Sequence, residues 1–350
     1  TGADLGSGLR AIARAGAGTN NVPVAECTDQ GIVVFNTPGA NAHAVKELVL
    51  AALLLASRDI VGGIDFVGSL GAVNDEAELN RLVEAEKKRF KGRELLGKSL
   101  GVVGLGAIGS LVARAALDLG MDVLGFDPAI SVDAAWRLPS EVQRMENLPS
   151  LFARADYVTL HVPLLPETEG MINEESLRLF RPGSVLLNFA RQPIVDSAAL
   201  RAALDDGRMG MYVADFPVPG LTDHPQVRLT PHLGASTEEA EENCAVMAAN
   251  QLIEFLQTGN IHNSVNFPQV TLEPAGGYRL ALTNRNVPGA LGQITSVLAE
   301  RKINVVDMLN RSRGEVAYNL IDVADMADEQ LIDDICGIDS VMNVREFEIA

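Results

Sequence analysis

The chain has 350 residues, 47% of them hydrophobic and 21% charged, enough apolar content for two or three packed domains and too much for a disordered chain. Its formal net charge of −18 argues against nucleic acid as a partner, because phosphate binding needs clustered Lys and Arg that acids do not offset. Cys27, Cys244 and Cys336 stand far apart with no CxxC or His-rich neighbourhood, so neither a disulfide frame nor a metal site is expected and a reducing, cytoplasmic setting fits.

No signal peptide opens the chain, and a start at Thr1 without methionine reads as a processed or incomplete N-terminus. Ile12–Ala15 and Gly31–Phe35 read as short strands, and Asn41–Ser57 as a long apolar helix. Its densest part, Leu48–Ala56, is about half a bilayer span and lies between charged pairs, so it reads as a buried helix and no membrane partner is expected. Glu76–Lys91 predicts a charged, solvated helix. The stretch Gly92–Ser99 spells GxxxxGK[ST], but it follows that helix and precedes a strand, the reverse of a working phosphate loop.

Gly101–Gly104 predicts a buried strand, Ser110–Leu119 a helix and Met121–Asp127 the next strand, with Gly104, Gly106 and Gly109 in the turn around Ala107 and Ile108. The first glycine permits a tight turn, the second admits a pyrophosphate to the backbone, and the third lets helix and strand pack closely. Asp127, eighteen residues past Gly109, can accept hydrogen bonds from ribose hydroxyls and would repel the extra phosphate of NADP, which favours NAD. The alternative for Asp127 is a surface acid in a turn before Pro128.

Strand candidates then recur at Tyr157–Leu160, Val185–Phe189, Met211–Asp215 and Val227–Leu229, which with the two around the glycines gives six strands of a parallel, doubly wound α/β sheet. Arg191 follows one of them at the carboxyl edge, where its planar fork could hold a carboxylate; the alternative is a surface ion pair. His232 lies just past the last strand, and imidazole titrates near neutrality, which suits proton transfer; alone, it would read more readily as a capping or packing residue. Together with the glycine turn on one sheet edge, the two residues read as base and carboxylate clamp for oxidation of an alcohol. Glu238–Thr258 is one long amphipathic helix, Pro274–Gly277 a linker, and the remainder a β-α-β-β-α-β unit of ferredoxin-like order.

Several of these segments are familiar: Arg14–Val22, Asn36–Asn41, the glycine turn with Phe126–Pro128, His161–Leu164 with Thr168, Asn188–Arg191 with Val195–Asp196, Asp215–Pro217 and Pro231–Thr237. On these marks the chain resembles the D-isomer-specific 2-hydroxyacid dehydrogenases over essentially its whole length. The resemblance implies a Rossmann-type NAD-binding domain at 48–234, a discontinuous flavodoxin-like substrate domain at 1–47 and 235–272 lacking its first strands, and a regulatory domain at 277–350. It implies that Arg191 orients substrate and His232 is the acid/base. His161, Val162 and Pro163 would lie beside the adenine, with Thr168 in the same loop. Phe189, Ala190, Asp215, Gly234 and Ala235 would flank the nicotinamide. Gly16, Ala17 and Gly18 would cradle the substrate carboxylate, while Arg14 and Lys46 are candidates for a substrate phosphate or simply surface charges.

The implied reaction is NAD-dependent oxidation of 3-phospho-D-glycerate to 3-phosphooxypyruvate, the first step of phosphorylated serine biosynthesis, in a homodimer or homotetramer. The alternatives are another D-2-hydroxy acid, or a non-catalytic sensor binding NAD and an amino acid. Two departures stand out. The family's glutamate that raises the pKa of the catalytic His falls, by ungapped count, on Gly220, which leaves Asp223 as the nearest substitute, so that His232 either pairs with Asp223 or works with a less raised pKa. The family's opening strands before Arg14 are also missing here. Residues 277–350 resemble an ACT domain, which would place Asn284, Asn286 and Asn304 at an L-serine effector site; a purely structural dimerisation module is the alternative.

Overall fold

A computed structural model describes residues 5, 6 and 8–349. Those positions fall into two compact units, the described part of Thr1–Ala40 with Glu241–Ala350, and Asn41–Ala240. In chain order the first elements are β1 (Ala11–Ala13), α1 (Val24–Asp29) and β2 (Val33–Phe35), then α2 (Ala42–Ser57), α3 (Ile60–Ser69) and α4 (Glu76–Glu86). The expected charged helix therefore stops at Glu86. A 3-10 turn over Lys87–Phe90 takes its place, where the Phe90 ring lies 5.4 Å from Phe66 and the Arg89 guanidinium covers both rings.

The central unit continues with β3 (Ser99–Val103), α5 (Ala107–Asp118), β4 (Asp122–Phe126), α6 (Val132–Trp136), β5 (Gln143–Arg144), α7 (Leu148–Arg154), β6 (Tyr157–Leu160), α8 (Glu174–Leu177), β7 (Ser184–Asn188), α9 (Ser197–Asp205), β8 (Met209–Ala214) and β9 (Val227–Leu229). Seven parallel strands pair in the order β5-β4-β3-β6-β7-β8-β9. Two apolar layers pack against the sheet, one around Leu151, Phe152, Leu186 and Leu200, the other around Val49, Leu53, Val112 and Leu187. The central strands β6 and β7 are buried at every position and rich in Val and Leu, as a parallel sheet covered on both faces requires. The seventh strand, β5, consists of two exposed polar residues and carries no apolar signal. The order reverses between β3 and β6, so the ligand crevice of such a sheet lies beyond their carboxyl ends.

The other unit adds α10 (Glu238–Thr258), β10 (Gly277–Arg285), α11 (Ala290–Glu300), β11 (Val305–Arg313), β12 (Val316–Val323), α12 (Glu329–Cys336) and β13 (Val341–Ile349). The last six form the expected β-α-β-β-α-β unit, an antiparallel sheet ordered β11-β12-β10-β13. Strand alternation splits its side chains between two cores. Leu280, Leu282, Ile321 and Val323 pack on α11 and α12, whereas Ala281, Tyr318, Leu320 and Phe347 pack with Val33 and Phe35 of β2 and Phe255 of α10. Near the linker, Arg279 is wholly buried, with its Nε 2.6 Å from Asp322 and its remaining nitrogens on Thr258 and Glu273 carbonyls. β1 and β2 form a two-stranded parallel sheet. No helix among the described residues is long and apolar enough to cross a membrane.

Candidate active site

The glycine turn sits at the strand reversal. Gly104 has φ +90°, and a Cβ there would lie 2.7 Å from the His161 carbonyl oxygen at the exit of β6, so only glycine fits where the two strands part. Gly109 packs its Cα against the Gly104 carbonyl with no room for a methyl group. Gly106 differs: it is the N-cap of α5, no side chain caps that end, and nothing lies within 4 Å of where its Cβ would be. The helix therefore begins three residues before the expected Ser110 and presents uncapped N–H groups to open space, with Ala107 and Ile108 in its first turn. Asp127 follows β4 and accepts from the Leu105 N–H at 2.8 Å and the Ala129 N–H at 2.9 Å, which fixes its carboxylate beside the turn.

His161 is half-buried as a residue, and desolvation of its ring pushes its pKa down from 6.5 to about 3, so the ring is neutral. Its Nε2 meets Thr159 Oγ1 at 2.9 Å, while Nδ1 has no partner among the described residues. The loop through Val162 and Pro163 is closed by Thr168, whose hydroxyl donates to the Pro163 carbonyl at 2.6 Å and accepts from the Leu165 N–H.

At the end of β7, fully buried Asn188 donates to the Arg191 carbonyl and accepts from the Ala190 N–H, and so shapes the Phe189–Arg191 exit. The Arg191 side chain is exposed and donates to the Ala190 carbonyl at 2.8 Å. Past β9, His232 is exposed at φ +62°, a left-handed conformation that costs a non-glycine residue about 1 kcal/mol or more. Asp215, buried at the end of β8, holds that conformation. It accepts from Thr230 Oγ1 at 2.6 Å, the Leu233 N–H at 2.7 Å and the Gly234 N–H at 2.6 Å. Asp215 is thus a brace for the His232 loop, and Ala235 follows directly. Asn188 and Thr230 as loop braces are not evident from sequence; the nearest signal is a polar residue at a strand's last position.

Residues 66–234 match the D-isomer specific 2-hydroxyacid dehydrogenase, NAD binding domain. A D-3-phosphoglycerate dehydrogenase of Haemophilus influenzae is 33% identical over 341 residues, which cover 94% of this chain and 78% of that protein. The chain belongs to the D-isomer specific 2-hydroxyacid dehydrogenase family. A Methanocaldococcus jannaschii D-3-phosphoglycerate dehydrogenase is 34% identical over 321 residues, but the chain spans only 57% of that relative's length. Among solved structures, an NAD+-bound 3-phosphoglycerate dehydrogenase of Entamoeba histolytica superposes with a TM-score of 0.58 at 28% identity, covering 75% of this chain and 76% of that one.

The residues present fit the family's NAD. An uncapped helix end stands above a glycine with open space over it, and a fixed carboxylate closes the next strand. The family's glutamate has no counterpart beside His232. Gly220 has φ +80° and offers its carbonyl to Arg201, and Asp223 is exposed with its carboxylate 3.6 Å from the same guanidinium. The expected Asp223–His232 pairing is therefore absent: Arg201 of α9 holds Asp223, and no described side chain hydrogen-bonds His232.

In the other unit, Gly16 donates its N–H to Thr37 Oγ1 at 2.6 Å, and the Arg14 guanidinium lies against its Cα. Gly16 is thereby already occupied as a donor, which leaves Ala17 and Gly18 as the cradle's free N–H groups among the described residues. Lys46, on α2 of the central unit, pairs with Glu47 at 3.3 Å. Of the three asparagines expected at an effector, Asn284 is buried and spent on the Arg285 carbonyl and Asn319. Asn286 is exposed and donates to the Gly314 carbonyl, and Asn304 is exposed.

Proposed function

We propose that this chain oxidises 3-phospho-D-glycerate to 3-phosphooxypyruvate with NAD, in the manner of a D-3-phosphoglycerate dehydrogenase, as the opening step of a phosphorylated route to serine. The observation that carries this reading is the braced His232 loop on the same sheet edge as Arg191 and the uncapped glycine turn. Arg191 holds the substrate carboxylate through its two-pronged guanidinium. His232 takes the hydroxyl proton as the carbinol carbon loses its hydride. NAD held at the glycine turn and Asp127 would supply the hydride acceptor. Among the described residues no side chain braces the imidazole from behind, so in this reading His232 works without a carboxylate partner. Arg14, Ala17, Gly18 and Lys46 complete the substrate's anionic contacts in this reading.

On the same reading, residues 1–47 and 235–272 are part of a flavodoxin-like substrate domain, 48–234 the NAD domain and 277–350 an ACT domain in a cytoplasmic homo-oligomer. L-Serine at that domain would be held by Asn286 and Asn304, with Asn284 as a support behind them. Appearance of NADH absorbance when the purified chain meets NAD and 3-phosphoglycerate, with a trap for the keto product, tests the reaction. No signal with that acid alongside turnover of D-lactate or D-glycerate would reassign the substrate, and none with any 2-hydroxy acid would leave a sensor.

A further inference from the structure

The edge of the central sheet opposite the glycine turn carries a cavity of about 560 Å³ at the amino ends of β6, β7 and β8. Its lining includes five cations, Lys91, Arg93, Lys98, Arg181 and Arg228, in a protein whose overall charge is −18. Only two acids share it. Asp59 caps α3 through the Gly62 N–H, and Asp156 is engaged by Arg181 at 2.9 Å and by Ser99. Lys91, Arg93 and Lys98 have no ion-pair partner among the described residues.

Their backbone is nonetheless tied down. The Arg93 N–H donates to the Ser57 carbonyl at the end of α2 at 2.8 Å, so the helix terminus is satisfied without the guanidinium. The Lys98 N–H donates to Leu95, and its carbonyl accepts from Asp122. Arg228 is aimed by bonds from one of its terminal nitrogens to the Pro225 and Val227 carbonyls, which leaves Nε and the other terminal nitrogen for a ligand. On the floor, Ser57 and Tyr157 share a hydroxyl pair at 2.8 Å. Clustered cations of this kind raise the local concentration of anions, and guanidinium forks match phosphate oxygens.

We propose that this cavity binds a small molecule bearing two or more phosphate groups, at a site separate from the cofactor turn. Arg93 and Lys98 come from the very stretch that spells a phosphate loop. They contribute by side-chain charge in a cavity rather than by a glycine-rich cradle before a helix. The volume exceeds a single inorganic phosphate, and the excess of cations calls for more than one anionic charge.

Calorimetric titration of the full chain with inorganic pyrophosphate, in saturating NADH to block the glycine turn, tests this. The expected result is one site on the wild-type protein whose affinity falls about tenfold or more in the Arg93→Gln/Lys98→Gln double variant, with NADH affinity unchanged. Should the double variant fail to fold by circular dichroism, Lys91→Gln, at an exposed position, is expected to weaken pyrophosphate about threefold. Superimposable isotherms for wild type and variant, or complete displacement of pyrophosphate by NADH, would overturn the proposal.

Discussion

Asp215 and Gly234 meet at 2.6 Å, a buried carboxylate against a backbone N–H, and a Cβ on Gly234 would come within 2.8 Å of the same oxygen. The brace therefore requires both the acid and the glycine. Asp215→Asn replaces an acceptor with an amide that must turn one donor towards other donors. It is expected to lower unfolding free energy by about 2–3 kcal/mol and to reduce kcat. Urea denaturation together with NADH absorbance would measure both effects, and a variant with wild-type stability would show that Asp215 braces nothing.

His232 separates stability from chemistry. Asparagine tolerates the left-handed region, so His232→Asn is expected to leave the unfolding midpoint nearly unchanged while lowering turnover about 100-fold or more, the usual cost of losing an acid/base group. Retained turnover in this variant would move the proton-transfer role elsewhere.

The glycine turn predicts opposite behaviour for two neighbours. Gly109→Ala sets a methyl group against the Gly104 carbonyl, which is backbone and cannot rotate away, so about 1–3 kcal/mol of stability should be lost. Gly106→Ala meets no protein atom and should fold normally, yet bind NADH more weakly because the methyl group enters the space over the helix end. Thermal melts and NADH fluorescence titration of the two variants check this; equal melting points would contradict it.

For His161, the folded pKa of about 3 lies below the ordinary 6.5, so between those values the folded state binds fewer protons than the unfolded chain. Stability is unaffected by this residue above about pH 6.5 and falls as pH drops through the window. From pH 7 to pH 5 the contribution amounts to about 2 kcal/mol, and His161→Asn should lose correspondingly less over the same interval. Chemical denaturation of both proteins at the two pH values provides the comparison.

Removing one member of the buried Arg279–Asp322 pair leaves an uncompensated charge in the interior. Asp322→Ala is expected to cost about 3–5 kcal/mol, whereas the apolar pair Arg279→Met/Asp322→Leu should recover most of the loss. A double-mutant cycle by denaturation measures the coupling, and independent, additive losses would count against it.

The β-α-β frame around Gly104 and the full run of Glu238–Thr258 were legible because apolar period and glycine position are local properties of sequence. The β-α-β-β-α-β order of the C-terminal unit was equally local, and the observed elements follow it. What was not legible depends on pairing across the fold. The two-residue β5 exists because β4 offers an edge, and the end of α4 at Glu86 accompanies the packing of Phe90 on Phe66. At the site, Arg191 and His232 were readable as chemistry at strand ends. That Asp223 faces Arg201, and that Asn284 is consumed internally, follow from neighbours 22 and 35 positions away in the chain.

The C-terminal sheet has apolar contacts on both of its faces, one set with its own helices and the other with β2 and α10. Such a module is no detachable bead on a string. Parting the chain at the Pro274 linker would open apolar surface to water on both pieces, around Ala281, Leu320 and Phe347 on one and Val33, Phe35 and Phe255 on the other.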